Sequence, residues 1–410
     1  MTVLFLSQIV PYPPHGGVLQ RGFNLVRELS TRARVHLLAF VHPDVLPTQQ
    51  ARDESRHRLE ELCATVEYFE LWPKASRAHH AAALAGALCS SRPFSVIAHR
   101  SAPFRERVEA HVRSSNIDVI HVDTIALAPF VPPDCALPTV LTHHNIESML
   151  MARRGAVETR PAAKWFLQRE AAKLRAYEAA MSPQFDTNIL MSAQDEAVLR
   201  DMAPTVRTAV VPNGVDIDYF TPDRSAETPA LIYTGGMNMF ANRDAVLYFL
   251  KEIWPLIIRE NRDVRFYAVG QDPPRELTEL AAADPRIQVT GFVDDIRPFV
   301  RKAAVYVVPL RVGGGTRLKV LDAMASGKAM VSTSVGCEGI DVRGDEHLVI
   351  ADTPDAFARA TVALLGAPER RAALGEAARR FVVSRYSWRT IADRLVDAYS
   401  QTLGTRQIPA

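Results

Sequence analysis

The segment Pro309-Leu310-Arg311-Val312-Gly313-Gly314-Gly315-Thr316-Arg317-Leu318-Lys319 carries the strongest chemical signal in the chain. It follows an apolar run and opens a helical pattern in which Leu318, Leu321, Met324 and Ala325 share a face. Three consecutive glycines let a backbone come close to a ligand. The first N–H groups of a helix have no partner within the helix, and the helix dipole favours an anion there. Arg317 and Lys319 add positive charge. Together these features predict a phosphate or diphosphate site, against the simpler reading of a solvated loop. The spacing matches neither GxxxxGK[ST] nor GxGxxG, which argues against a Walker loop and a nicotinamide fingerprint.

A second group of residues lies in the first half. Asp123, His143, His144 and Glu147 all fall at or just after the ends of predicted strands, and His15-Gly16-Gly17 falls between the first strand and the first helix. In a parallel sheet these ends share the edge that binds ligands. A tight turn alone would also account for the glycines. Asp216-Ile217-Asp218 has the form of a metal-binding DxD, but its place after Asn213-Gly214 predicts aspartates that cap turn amides instead. There is no HExxH and no GxSxG, so metalloprotease and serine-hydrolase readings have no support.

Chemistry of this kind needs elements that bring strand ends and helix starts together. Short apolar runs at 3–6, 35–40, 65–71, 117–122, 139–142, 187–191 and 208–211 predict strands. After Pro212-Asn213-Gly214 and an apparent linker at 221–229, the alternation restarts. Strands are expected at 231–233, 264–269, 287–289, 305–308, 329–331 and 347–350. Helices are expected between them, near 243–260, 275–283, 295–302 and 317–326, and the chain closes with helices at 354–365, 369–383 and 388–403. Continuous apolar strands alternating with helices predict an α/β chain of two doubly wound parallel sheets. Two such sheets facing each other would leave a cleft between their ligand-binding edges.

With these pieces in order, the chain resembles glycosyltransferase family 4, nucleotide-sugar-dependent retaining enzymes of the GT-B type. The resemblance rests on Gly16-Gly17, His143-His144-Asn145 with Glu147, Val211-Pro212-Asn213-Gly214-Val215-Asp216, Tyr233-Thr234-Gly235-Gly236, Val289 to Asp295, Gly313 to Lys319, Leu321 to Lys328 and Tyr386-Ser387-Trp388. It implies two Rossmann-like domains, at 1–212 on the acceptor side and 213–385 on the donor side, with 386–410 crossing back onto the first. By the same resemblance Gly16 and Gly17 approach the donor, His144 or His143 lies near the transferred sugar, and Gly235 and Gly236 line the donor site. Phe292 and Val293 meet the base, Gly314, Gly315 and Thr316 cradle the diphosphate with Arg317 and Lys319 beside them, and Asp322 meets the ribose. The family often has two glutamates separated by seven residues; here Gly314 and Asp322 stand in those places. The basic residues common after the Tyr-Gly-Gly turn are replaced by Met237, Asn238 and Met239.

The implied function is transfer of a sugar from a nucleoside diphosphate sugar to an acceptor hydroxyl in glycan, exopolysaccharide or glycoconjugate biosynthesis, with no metal and no further cofactor. A nucleotide-sugar epimerase or hydrolase on the same fold, or a binding protein without catalysis, are the rival readings. The acceptor would be a glycan, a lipid-linked sugar or a small molecule. Lys+Arg 48 against Asp+Glu 46 leaves a net charge of +2, which gives no case for nucleic acid. Four scattered cysteines, no run near the ~18–20 apolar residues of a membrane span and no signal-peptide pattern predict a reduced, cytoplasmic protein. The stretch 74–92, with His79 and His80 and an Ala/Leu face, reads as a helix packed on the first domain or as one that touches the inner face of a membrane.

Overall fold

The structure is a computed structural model that describes residues 1–14, 16–74, 76–114, 116–223, 225, 227–312 and 317–406. Gly314, Gly315 and Thr316 therefore lie outside the described residues. The chain divides into two compact units, Met1–Pro212 with the final helix from Ile391 onward, and Asn213–Thr390.

The first unit is built on a seven-stranded sheet in the order β3-β2-β1-β4-β5-β6-β7. Its strands are β1 (Thr2–Ser7), β2 (Arg34–Val41), β3 (Thr65–Glu70), β4 (Val119–Val122), β5 (Thr139–His143), β6 (Thr187–Leu190) and β7 (Thr208–Val210). Every pairing is parallel. Val3, Leu4, Phe5 and Leu6 are wholly buried, as a strand covered on both faces requires. The covering helices are α1 (Gly17–Ser30), α2 (Gln49–Glu60), α3 (Arg77–Leu88), α4 (Phe94–Ala98), α5 (Ala102–Arg113), α6 (Glu147–Val157), α7 (Pro161–Met181) and α8 (Ala193–Met202).

The second unit has a six-stranded sheet in the order β10-β9-β8-β11-β12-β13. The strands are β8 (Thr228–Thr234), β9 (Arg265–Val269), β10 (Ile287–Val289), β11 (Ala303–Val308), β12 (Ala329–Ser332) and β13 (Val349–Ile350), again all parallel. Around them lie α9 (Phe240–Tyr248), α10 (Trp254–Glu260), α11 (Arg275–Ala283), α12 (Arg297–Lys302), α13 (Leu318–Ala325), α14 (Pro354–Leu365) and α15 (Pro368–Tyr386). A last helix, α16 (Trp388–Arg406), starts in the second unit and from Ile391 belongs to the first. There Tyr399 bonds His121 of β4, and Thr402 bonds Thr187 of β6.

Two expectations need correction. The helix expected at 243–260 is interrupted by a π turn at Phe249–Ile253. Pro255 follows at once; it has no N–H, and its ring would strike a carbonyl one turn earlier, so the widened turn absorbs the mismatch. Residues 221–229 are also no free linker. Phe220 is buried, Thr228 already belongs to β8, and Val215 N donates to Tyr386 O at 2.8 Å. The polar, proline-containing stretch hides the fact that its flanks are packed.

The strand order changes direction between β1 and β4 and between β8 and β11. At such a switch point the loops leave the sheet on opposite sides and open a crevice. In the second unit the loop after β8 packs tightly against the loop after β9, its neighbour on the other side from β11. A Cβ on Gly270, after β9, would lie 2.0 Å from the Gly235 carbonyl oxygen, after β8. Gly270→Ala must therefore push the Gly235 turn away, and overpacking of this kind costs roughly 1–3 kcal/mol. A lower unfolding temperature in a thermal melt is the expected outcome; an unchanged one would show that the two loops can part freely.

Candidate functional site

In the second unit, Gly235 and Gly236 follow β8, and Pro309 opens the loop after the neighbouring β11. Lys319, in the first turn of α13, reaches back to the Gly235 turn. Its Nζ donates to the Tyr233 hydroxyl and to Asn242 Oδ1, both at 2.7 Å, and stands 4.1 Å from the centre of the Tyr233 ring. Tyr233 in turn donates to Asn242 Oδ1 at 2.8 Å, and Asn242 Nδ2 donates to Gly236 O at 2.8 Å. Gly235 has φ +149°, and a Cβ there would lie 2.6 Å from Lys319 Nζ. Only glycine leaves room for the ammonium.

The electrostatics of this corner follow from burial. Desolvation holds the Lys319 amine well below the usual lysine range; nearby Arg317 adds to the effect and Asp322 opposes it. One turn further along α13, burial pushes the Asp322 carboxyl up to about 8, opposed by Lys319 and reinforced by Asp216. An anion arriving here would restore the lysine charge that burial disfavours.

Arg317 is placed differently from the expectation that its charge faces a ligand. It is buried, with Nη2 3.4 Å from both Val335 O and Glu338 Oε2. A buried guanidinium is held by the acceptors that it meets, so Arg317 ties the start of α13 to the 335–338 loop. Phe292 stands out from the surface, 56% exposed, after Gly291 at φ +70°. Val293 is half-buried and packs on the core. Asp216 Oδ1 accepts from the amides of Asp218 and Tyr219 at 3.1 and 2.9 Å, which is the capping role.

In the first unit the edge residues sort by strand geometry. Gly16, at φ +103°, is the N-cap of α1, and Gly17 is its first residue; both are exposed. His143 ends β5, and its Nε2 meets Asn188 Oδ1 at 3.0 Å. Burial brings its imidazole down to about 4, so it is neutral at pH 7. His143, one of the two histidines expected near the sugar, is thus buried in the sheet interior. The next residue, His144, emerges on the other side, as strand alternation requires. Its Nε2 lies 3.2 Å from Asp123 Oδ2, just past the end of β4. Asp123 Oδ1 lies 3.7 Å from Nε2 of His121, which stacks on Phe5 at 4.3 Å and meets the Tyr399 hydroxyl at 2.7 Å through Nδ1. Burial pushes the Glu147 carboxyl up. Glu178 on α7 accepts from the amides of Glu147 and Ser148 at 2.7 and 3.4 Å, securing the start of α6.

Tyr233, Asn242, His121 and Tyr399 complete these two clusters; of the four only Tyr233 belongs to a motif, the Tyr233-Thr234-Gly235-Gly236 turn, and none has a site role expected from the sequence. Tyr233 reads as strand interior and Asn242 as a helix residue; the one available signal is that Tyr233 stands two residues before a glycine pair. Among the described residues no three His, Cys, Asp or Glu side chains form a metal-holding group.

The raised Asp322 carboxyl has a readable consequence. Its folded-state value of about 8 lies above the ordinary ~3.9. The stability tied to its protonated form is complete below about pH 4 and is lost as pH rises toward about 8. Asp322→Asn is expected to gain unfolding temperature relative to the parent chain as pH is raised through this window. The check is a pair of melting curves against pH; parallel curves would remove the buried acid from the account.

Comparison with known proteins agrees with this architecture. Residues 228–367 match the family model described as glycosyl transferases group 1. The phosphatidyl-myo-inositol mannosyltransferase of Mycobacterium tuberculosis (strain H37Rv) is 28% identical over 211 residues, covering 48% of this chain and 54% of the relative. The D-inositol 3-phosphate glycosyltransferase of Geodermatophilus obscurus is 31% identical over 224 residues, 47% of each. The chain thus spans about half the length of these curated relatives. Among solved structures, sucrose-phosphate synthase from Thermosynechococcus elongatus superposes with a TM-score of 0.70 at 19% identity, over 99% of this chain and 100% of that one. Anabaena HepE in complex with UDP does so with a TM-score of 0.67 at 15% identity, over 98% and 100%. These likenesses establish the GT-B fold. Residues 15–219, half of the chain, match the model for Glycosyltransferase Family 4, and with its two doubly wound sheets the chain belongs to that family.

Proposed function

We propose that the chain transfers a sugar from a nucleoside diphosphate sugar to a hydroxyl of a glycan or lipid-linked acceptor in glycoconjugate assembly. The observation that carries this reading is Lys319 lodged against the Gly235 turn, at the switch point and in the first turn of α13. When the donor's glycosidic bond breaks, negative charge grows on the departing phosphate. The bound diphosphate favours the charged form of Lys319, and a side chain already held in a desolvated corner then stabilises the growing charge with little reorganisation. Lys319 thereby stands in for the basic residues missing at Met237 to Met239, and Phe292 offers the base an exposed ring. Relatives named as mannosyl- and glycosyltransferases of inositol phosphates and lipids, and a structural neighbour that holds UDP, support the donor and acceptor classes. With Lys319 and the start of α13 to meet the diphosphate, the donor is expected to bind without a divalent cation.

The test is a thermal-shift panel of UDP, GDP, dTDP and ADP, with magnesium and with chelator, followed by transfer assays with the matching sugar donors. One nucleotide at 100 times its Kd should stabilise by about 2.7 kcal/mol. Lys319→Ala removes a charge-assisted bond worth roughly 1.5–3 kcal/mol and should weaken that nucleotide about tenfold or more. No response to any nucleotide, or full affinity in Lys319→Ala, would overturn the assignment.

The same reading extends to an anionic membrane surface as the place where a lipid-linked acceptor is met. Residues 71–105 contain no Asp or Glu but include Lys74, Arg77, Arg92, Arg100 and Arg105. Leu88 at the end of α3, and Val157 and Trp165 on the α6–α7 hairpin, are exposed apolar side chains. Arg169 links the two parts, donating to Leu88 O at 2.8 Å and lying 5.6 Å from the centre of the Trp165 ring. Cations around exposed apolar groups suit an acidic lipid surface. No helix among the described residues is long and apolar enough to cross a membrane. In vesicle flotation, the chain is expected to bind vesicles containing phosphatidylglycerol, to release in high salt, and to bind less as Trp165→Ser with Arg169→Glu. Equal behaviour with vesicles of phosphatidylcholine alone would count against this surface.

A further inference from the structure

We propose that Asp123 is a positioning residue for His144: it keeps the imidazole proton on Nε2, so that Nδ1 is the ring atom that accepts a hydrogen bond from a substrate hydroxyl. The role of Nδ1 rests on the reading of His144 as a site residue given above; the position of the proton does not.

Three buried polar atoms meet here. Asp123 Oδ1, Asp123 Oδ2 and His144 Nε2 are all sealed from solvent and lack an aligned hydrogen-bond partner. Nε2 and Oδ2 are 3.2 Å apart, so a small rotation of the ring closes a bond between them. Of the two neutral forms of the ring, only one pairs a donor with an acceptor here. With the proton on Nδ1, a lone pair would face a buried carboxylate at that distance, leaving both groups unsatisfied where water cannot help. With the proton on Nε2 the two groups satisfy each other.

The carboxylate is well placed to enforce this choice. Burial alone would neutralise Asp123, but His144 and His121 together outweigh it and hold the carboxyl below the usual carboxylate range. Its backbone is fixed, since Asp123 N donates to Leu6 O at 2.9 Å. The His121 ring beside it is held by Phe5 and Tyr399. Arg21 on α1 contributes a buried positive charge near Asp123, anchored by Nη1 on Pro212 O at 2.8 Å. His143 on β5, Glu147 on α6 and Tyr399 on α16 are the other ionisable groups around the pair among the described residues. His144 Nδ1 has no partner among the described residues and is absent from the sealed atoms, which leaves it as the nitrogen that a ligand can reach.

The experiment is nitrogen-15 NMR of the full chain labelled at histidine, without ligand, with His144 assigned by the signals lost in His144→Gln. The parent chain should show His144 protonated at Nε2, with a downfield Nε2–H resonance protected from exchange. In Asp123→Ala that resonance should vanish. A proton on Nδ1, or a protected Nε2–H that survives in Asp123→Ala, would overturn the proposal whatever the activity. The parent spectrum decides the matter even if Asp123→Ala fails to fold. The transfer assay then tests the working atom: Asp123→Asn should lower kcat about tenfold to a hundredfold with little change in donor KM. Unchanged kcat with the expected spectrum would confine the failure to the role assigned to His144.

Discussion

Parallel strands that are apolar on both faces must be covered on both faces, and this constraint governs where the molecule can keep polar chemistry. The sheet interiors of both units have little tolerance for unpaired charge. Apart from paired groups such as His121 and His143, the candidate ionisable groups therefore stand at the strand ends, and the reversal of strand order decides which ends stand beside a crevice. Asp123 and Gly16 leave the first sheet from β4 and β1; Gly235 and Pro309 leave the second from β8 and β11. The candidate residues are thus gathered by topology before any side chain is chosen.

At those ends the structure works by pairing buried groups that would be costly alone. Lys319 is held by Tyr233 and Asn242, Asp123 by His144 and His121, and Glu178 by the first amides of α6. The same low-dielectric setting that makes an unpaired group unfavourable strengthens each interaction that a ligand completes. The depressed Lys319 amine and the raised Asp322 carboxyl are both marks of a corner with too little water to hold its charges unaided. Under the proposed function, a diphosphate would supply the counter-charge such a corner lacks.

Much of this was legible in the chain alone, and the reasons differ by element. The strands β1, β4, β8 and β11 are short apolar runs between turn signals, and burial on both faces produces that pattern directly. The edge placement of Asp123, His144 and Gly235 followed from it. The π turn before Pro255 was not legible, because periodicity continues through a single widened turn. His143 and His144 look equivalent as neighbours, yet one lies in the sheet and the other leaves it; only the exact end of β5 separates them. Arg317 and Lys319 look alike as basic residues at a helix start, and their partners 335–338 and 233–242 lie far along the chain.

The sequence by itself determined the class of the fold, the alternation of its elements, the positions of its glycine turns and the family to which it belongs, since these depend on local pattern and on motif order. The tertiary structure alone decided which cation sits at the Gly235 turn, which histidine meets Asp123, and that Tyr399 near the chain's end braces His121 on β4. Those choices depend on which buried groups come within about 3 Å of one another, and that distance is set by packing between segments that the order of residues leaves far apart.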